Sequence, residues 1–260
     1  LGVSFFRSLL GATLVAVSTL AVANDVAYMR GATQPWGRST NEAAMDTVFG
    51  AGNWDDLRMA DGSGPFQPGS GYRFIFLEGS DDTANELNTY LQAHRAAIEA
   101  FVNNGGRLLL NSAPNEGGDI DFGFGGVDLI NSQFSSNVTA NDGTHPVFNG
   151  PETPIVTDYS GNSFGHAIIA GPTSPIIIGA VSDAQEGNMI LGELVFGDGL
   201  VLFGGMTTDN FHSPDPESAN LRANIIAYTA SGAANRLSCE GFLFPMDQAV
   251  TVKRSPYGGN

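Results

Sequence analysis

Tyr72-Arg73-Phe74-Ile75-Phe76-Leu77, flanked by Gly71 and Gly79, precedes a segment in which Leu87, Leu91, His94, Ile98, Phe101 and Val102 recur at helical spacing. Gly105-Gly106 then closes that segment, and Arg107-Leu108-Leu109-Leu110 returns as an apolar run. A short aromatic and aliphatic run between glycines reads as a strand. A 3.6-residue apolar period reads as an amphipathic helix, and glycine supplies its C-terminal stop. Strand, helix and strand in this order form a βαβ crossover, which predicts parallel strands with helices packed on the sheet. The chain is therefore read as α/β with a mostly parallel sheet.

Outward from this unit, residues 25–29 read as a first strand and 54–59 as a weak second one. Between them, Ser39 and Glu42 stand at capping-box spacing and open a helix that stops at Gly50. The second half is richer in strands, expected over 154–157, 167–170, 176–181, 189–195 and 200–203. Gly197-Asp198-Gly199 reads as the hairpin turn between the last two. A closing helix is expected over 216–229. The Gly- and Phe-rich stretch 117–126 lacks the lysine of a phosphate loop and the closing glutamate of an EF-hand, and reads as a surface loop. His94, on the apolar helix face, reads as a packed core residue, and His145 before Pro146 as the end of a segment. Asn137-Val138-Thr139 is a glycosylation sequon, relevant where the host glycosylates exported proteins.

Residues 1–23 carry Arg7, an apolar run from Leu9 and the ending Ala21-Val22-Ala23, the three parts of an export signal with cleavage before Asn24. The apolar run is short for a membrane span. The product is expected to be secreted or displayed on a bacterial cell surface, with no membrane attachment after cleavage. Lys plus Arg number 11 against 27 Asp plus Glu, a net charge of −16, which repels phosphate backbones and anionic lipid. Nucleic acid is accordingly not an expected partner. The acidic composition, with Lys253 as its one lysine, suits a high-salt exterior. A single cysteine, Cys239, excludes a disulfide framework and a cysteine-rich zinc site. Residues 24–231 are read as the α/β domain, 232–238 as a linker and 239–260 as a separate unit.

Asn103-Asn104-Gly105-Gly106-Arg107-Leu108-Leu109-Leu110-Asn111-Ser112 resembles the central segment of class I glutamine amidotransferase-like domains, most closely the trehalose-utilisation (ThuA-like) branch. His145-Pro146-Val147-Phe148 is similar to that branch's His-Pro segment. The run from Gly199 to Met206, followed by a loop with His212 and a closing helix, resembles the end of such domains. The resemblance covers residues 25–230 and implies a three-layer flavodoxin-like fold with helices on both faces of the sheet. It departs where the family places its nucleophilic cysteine, because this chain reads Asn111-Ser112-Ala113-Pro114 there. A thiolate is the better nucleophile near neutral pH, and a serine in its place needs a base. The tail from Cys239 to Lys253 resembles the opening of a small β-sandwich module of secreted bacterial proteins, cut short into a β stub.

Ligands of open α/β sheets sit at the carboxyl ends of the strands. Those ends carry Arg30, Glu78, Asp81, Asp82, Asn111, Ser112, Thr207, Thr208, Asp209, Asn210 and His212. So acidic and amide-rich a set suits a small polar ligand, a polyol or carbohydrate, or Ca²⁺, with no cofactor otherwise implied. Helix capping by Asp81-Asp82 and ordinary loop formation by Asp209-Asn210 are the bland alternatives. Without the cysteine, the expected role is a non-catalytic ligand-binding or surface-interaction domain. The alternative is a carbohydrate-active hydrolase or isomerase using Glu78, Asp81, Asp209 and His212 as acid and base groups. Gly161-Asn162-Ser163-Phe164-Gly165 matches the nucleophile-elbow pattern, but the segment after it is too short for the helix an elbow requires.

Overall fold

The computed structural model describes residues 24–180 and 187–231. The stretches read as export signal, linker and C-terminal β stub lie outside the described residues. In chain order the strands are β1 (Val26–Arg30), β2 (Asp55–Arg58), β3 (Phe74–Glu78), β4 (Arg107–Asn111), β5 (Ile120–Gly123), β6 (Val127–Ile130) and β7 (Ser135–Ala140). They continue as β8 (Asp158–Gly165), β9 (Ile168–Ala170), β10 (Ser174–Gly179), β11 (Met189–Phe196), β12 (Gly199–Gly204) and β13 (His212–Ser213). The helices are α1 (Thr40–Phe49), α2 (Ala84–Asn103) and α3 (Glu217–Ser231).

Ten strands form one sheet in the order β13-β8-β7-β10-β11-β12-β4-β3-β1-β2, and β5-β6-β9 form a second. The expected βαβ crossover is present: β3 and β4 are parallel neighbours joined by α2, with Phe76 opposite Leu109. Parallel pairing runs from β2 to β12 and stops there; from β12 to β13 every pair is antiparallel. The sheet is thus mixed rather than mostly parallel. Short connections in the second half, such as Gly197-Asp198 between β11 and β12, can join only antiparallel strands. Gly197 takes φ +60° in that hairpin, a conformation that favours glycine.

Alternate side chains of the parallel strands enter two apolar clusters. Tyr28, Phe76 and Leu109 join Met45 of α1 with Leu221 and Ile225 of α3. Met29, Leu77 and Leu110 join Leu87, Leu91 and Ile98 of α2. Period-2 strands buried on both sides explain why these runs are apolar throughout. Gly199, at the start of β12, lies tight against the end of α2 and the turn into β4. A Cβ there would fall inside contact distance of the Val102 and Gly106 carbonyl oxygens. Gly199→Ala is therefore expected to destabilise by about 1–3 kcal/mol. It should lower the urea midpoint at unchanged slope, and an unchanged midpoint would contradict the packing.

Several expectations need correction. Residues 117–126 are not a surface loop: they contain β5 and lead into β6, with Phe122 and Phe124 buried against Phe203. No strand covers 154–157; the strand is β8, immediately after it. Ser39 does sit at the N-cap of α1, but its side chain makes no capping bond, and Glu42 turns to Gln34 and Arg30 rather than back to the Ser39 backbone. His94 is half-buried and packs on the Tyr90 ring at 4.6 Å. No helix among the described residues is long and apolar enough to cross a membrane.

Candidate functional site

Because β1, β3, β4 and β12 are parallel, their carboxyl ends at Arg30, Glu78, Asn111 and Gly204 lie on one edge. The candidates divide there into an interior knot and an outer cleft. Glu78 is 1% exposed, and Asn111, Ser112, Thr207 and His212 are buried with it. Asn111 Nδ2 donates to Glu78 Oε2 and to the Met206 carbonyl, each at 2.9 Å, while Met206 N donates to Asn111 Oδ1 at 3.2 Å. Ser80 Oγ donates to Glu78 Oε1 and accepts from Ala113 N at 2.8 Å. Burial pushes the Glu78 carboxyl up to about 7, against the opposing pull of Ser80, Arg222 and Asn111. Ser112 Oγ donates to the Gly79 carbonyl at 2.7 Å, so at the turn after the central strand the hydroxyl is committed to the backbone.

His212 stacks on Phe164 at 3.9 Å, with Nε2 2.8 Å from Thr207 Oγ1 and 3.1 Å from the Phe164 carbonyl. A carbonyl only accepts, so Nε2 carries the ring proton. Burial, reinforced by the Arg222 charge, holds this imidazole well below its usual pKa. Arg222 itself was not singled out in the sequence. It is buried, its Nη2 donates to the Thr207 carbonyl, and its Nε and Nη1 have no hydrogen-bond partner among the described residues. The available signal was a guanidinium between Leu221 and Ala223 on a helix with buried residues almost all round.

The outer group surrounds an open cleft of about 410 Å³ lined by Arg30, Thr33, Gln34, Asp81 and Asp82. Arg30 is ion-paired to Asp56 at 3.0 Å and Glu42 at 3.5 Å. Asp81 accepts from Trp36 N at 2.8 Å and Asn115 Nδ2 at 2.6 Å; Asp82 accepts from the Thr33 hydroxyl at 3.0 Å. Neither aspartate caps α2, whose N-cap is Thr83. Thr208 is buried, its hydroxyl without a partner among the described residues, Asp209 is half-buried and Asn210 exposed. Asp209 and Asn210 bond to neither group.

No hydrogen bond or ion pair joins any two of Glu78, Asp81, Asp209 and His212. Among the described residues, no three His, Cys, Asp or Glu side chains stand close enough together to hold a metal ion. Gly161–Gly165 ends β8 and leads into strand β9 rather than a helix, so the elbow context is absent.

A row of rings over this edge was also missed. Trp36 lies 5.6 Å from His166 and 5.5 Å from Phe211, and Phe134, 46% exposed, lies 5.0 Å from His166. The one signal was Trp36 itself, set between Pro35 and Gly37 after the first strand.

No protein-family model and no curated protein matches the sequence. Among solved structures, the chain is similar to a beta-galactosidase from Bacillus circulans sp. alkalophilus at 13% identity and TM-score 0.47, over 80% of this chain and 31% of that one. A beta-galactosidase from Rahnella sp. R3 matches at 15% identity and TM-score 0.48, over 78% and 31%. A putative GMP synthase subunit from Thermoplasma acidophilum matches at 11% identity and TM-score 0.49, over 81% and 96%. This chain thus spans under a third of the beta-galactosidases it matches. Likeness at this level does not transfer chemistry.

Proposed function

We propose that this chain is an exported, non-catalytic binding domain of three-layer, amidotransferase-like architecture that takes a small polar ligand in the cleft at Arg30, Thr33, Asp81 and Asp82. The observation that carries the reading is the division of the strand edge. The groups fit for acid-base work, Glu78 and His212, are buried and bonded inward, whereas the open cleft is lined by both donors and acceptors. Ser112, at the family's nucleophile position, is buried and bonded to Gly79. One feature favours the alternative hydrolase or isomerase reading: a carboxyl pushed up to about 7 suits general acid-base catalysis. At 1% exposure and bonded to Ser80 and Asn111, Glu78 is closed to a substrate in this structure.

The expected result is saturable binding of a polyol, saccharide or other small polar compound that shifts the Thr33, Gln34 and Asp82 amide resonances. Asp82→Asn should weaken it about tenfold, the worth of one charge-assisted hydrogen bond. Turnover of glutamine or a glycoside above a buffer blank, abolished by Ser112→Ala or Glu78→Gln, would overturn the non-catalytic reading.

A further inference from the structure

The rings do not line the cleft itself but adjoin it at Asp81, a lining residue whose carboxylate binds Trp36 N and acts electrostatically on His166. We propose that Trp36, His166, Phe211 and Phe134, with the carboxylates of Asp81 and Asp82, recognise a methylated ammonium group, so that the ligand of the cleft is a small organic cation. The inference rests on the reading of the cleft as a ligand site.

Three observations carry it. The first is ring geometry. His166 stands at 86° and Phe211 at 82° to the Trp36 plane, and Phe134 at 70° to His166. The rings meet edge to face, and the part of a ring face left uncovered carries negative quadrupole charge that attracts a cation. The rings come from separate segments and remain half-exposed or exposed, unlike the buried pair Phe122 and Phe203.

The second is charge. Asp81 and Asp82 accept hydrogen bonds from neutral donors, and neither is ion-paired among the described residues. The guanidinium that lines the cleft, Arg30, is offset by Glu42 and Asp56. Burial lowers the His166 pKa, so near neutral pH its ring is an uncharged wall rather than a rival cation. A primary ammonium would need acceptors on every side; a methylated one has few or no N–H groups and is met by faces alone.

The third is preorganisation. Trp36 has φ +51°, which is rare for a bulky residue, and Asp81 fixes its backbone N–H at 2.8 Å. Such an outlier persists only where its surroundings over-determine it, and outliers of this kind gather at ligand sites.

The test monitors the indole N–H resonances of Trp36 and Trp54 at constant ionic strength. Choline, tetramethylammonium and 3,3-dimethylbutan-1-ol, the uncharged isostere of choline, are titrated in turn, with potassium chloride as the screening control. Both cations should shift Trp36 saturably and leave Trp54 unmoved, with the alcohol at least tenfold weaker. Trp36→Ala should abolish binding, and Asp82→Asn should weaken choline but not the alcohol. Arg38, the exposed cation two residues beyond Trp36, opposes such a ligand, so Arg38→Gln should tighten binding. Equal binding of alcohol and choline would reduce the rings to an apolar patch and overturn the inference. A saccharide that shifts the Asp82 amide while neither cation binds would overturn it and leave the ligand-site reading standing. No response to any probe would overturn both.

Discussion

Asn111→Ala is expected to lower the unfolding free energy by about 3 kcal/mol, the cost of leaving two or three buried polar groups unpaired. One side chain here ties three parts of the fold together. Its amide nitrogen bonds Glu78 at the end of β3 and the Met206 carbonyl after β12, and its oxygen receives Met206 N. Truncation leaves a carboxyl and both polar groups of a peptide residue without these partners, in a region from which water is excluded. For a domain of this size the thermal midpoint should fall by about 6–12 °C. Asn210→Ala, on the exposed loop nearby, should stay within about 0.5 kcal/mol of wild type. If the two substitutions cost the same, the knot contributes nothing to stability.

The second large effect depends on pH. The Glu78 carboxyl is held at about 7 in the folded chain, against an ordinary value of 4.5. Between these values the folded state retains a proton that the unfolded state has released. The stabilisation is therefore complete below about pH 4.5 and is lost as the pH rises to about 7, a change of about 3 kcal/mol. His212 and His166, both lowered by burial, act in the opposite sense: below their ordinary pKa the unfolded chain gains protons that the folded chain refuses, so stability falls on acidification. The wild-type curve alone mixes these trends. The difference between wild type and Glu78→Gln isolates the carboxyl and should favour the variant progressively from pH 4.5 to 7, then level off. A difference that does not change with pH would show that Glu78 titrates normally.

The elements legible in the sequence were those with one dominant period. Leu87, Leu91, Ile98 and Val102 mark α2, and the unbroken apolar runs of β3 and β4 mark strands buried on both sides. β8 was not legible, because Asp158, Ser160, Asn162 and Ser163 interrupt the pattern and only Tyr159, Phe164 and Gly165 are buried. β5 and β6 do alternate, through Ile120 and Phe122 and then Val127 and Leu129, but the glycines around them gave the stronger turn signal. At the site, residue type and strand end were readable, whereas direction was not. Nothing in the sequence separates Glu78, which turns inward among Ser80 and Asn111, from Asp82, which lines the cleft. The partners that meet Glu78 include Asn111 from the neighbouring strand and, through its charge, Arg222 more than a hundred residues away, and sequence adjacency shows neither.

Among the described strands, β12 alone bonds a parallel neighbour on one side and an antiparallel neighbour on the other. This seam sets an order of events during synthesis. The strands from β1 to β4 can align once Asn111 has emerged, but the far side of β4 waits for Gly199–Gly204. At ribosomal rates that wait is on the order of ten seconds, during which β4 presents a row of unpaired amides and carbonyls to its surroundings. An open edge of that kind is a template for pairing between chains. The nascent polypeptide is therefore most exposed to mispairing after its first half has formed and before β12 arrives to close it.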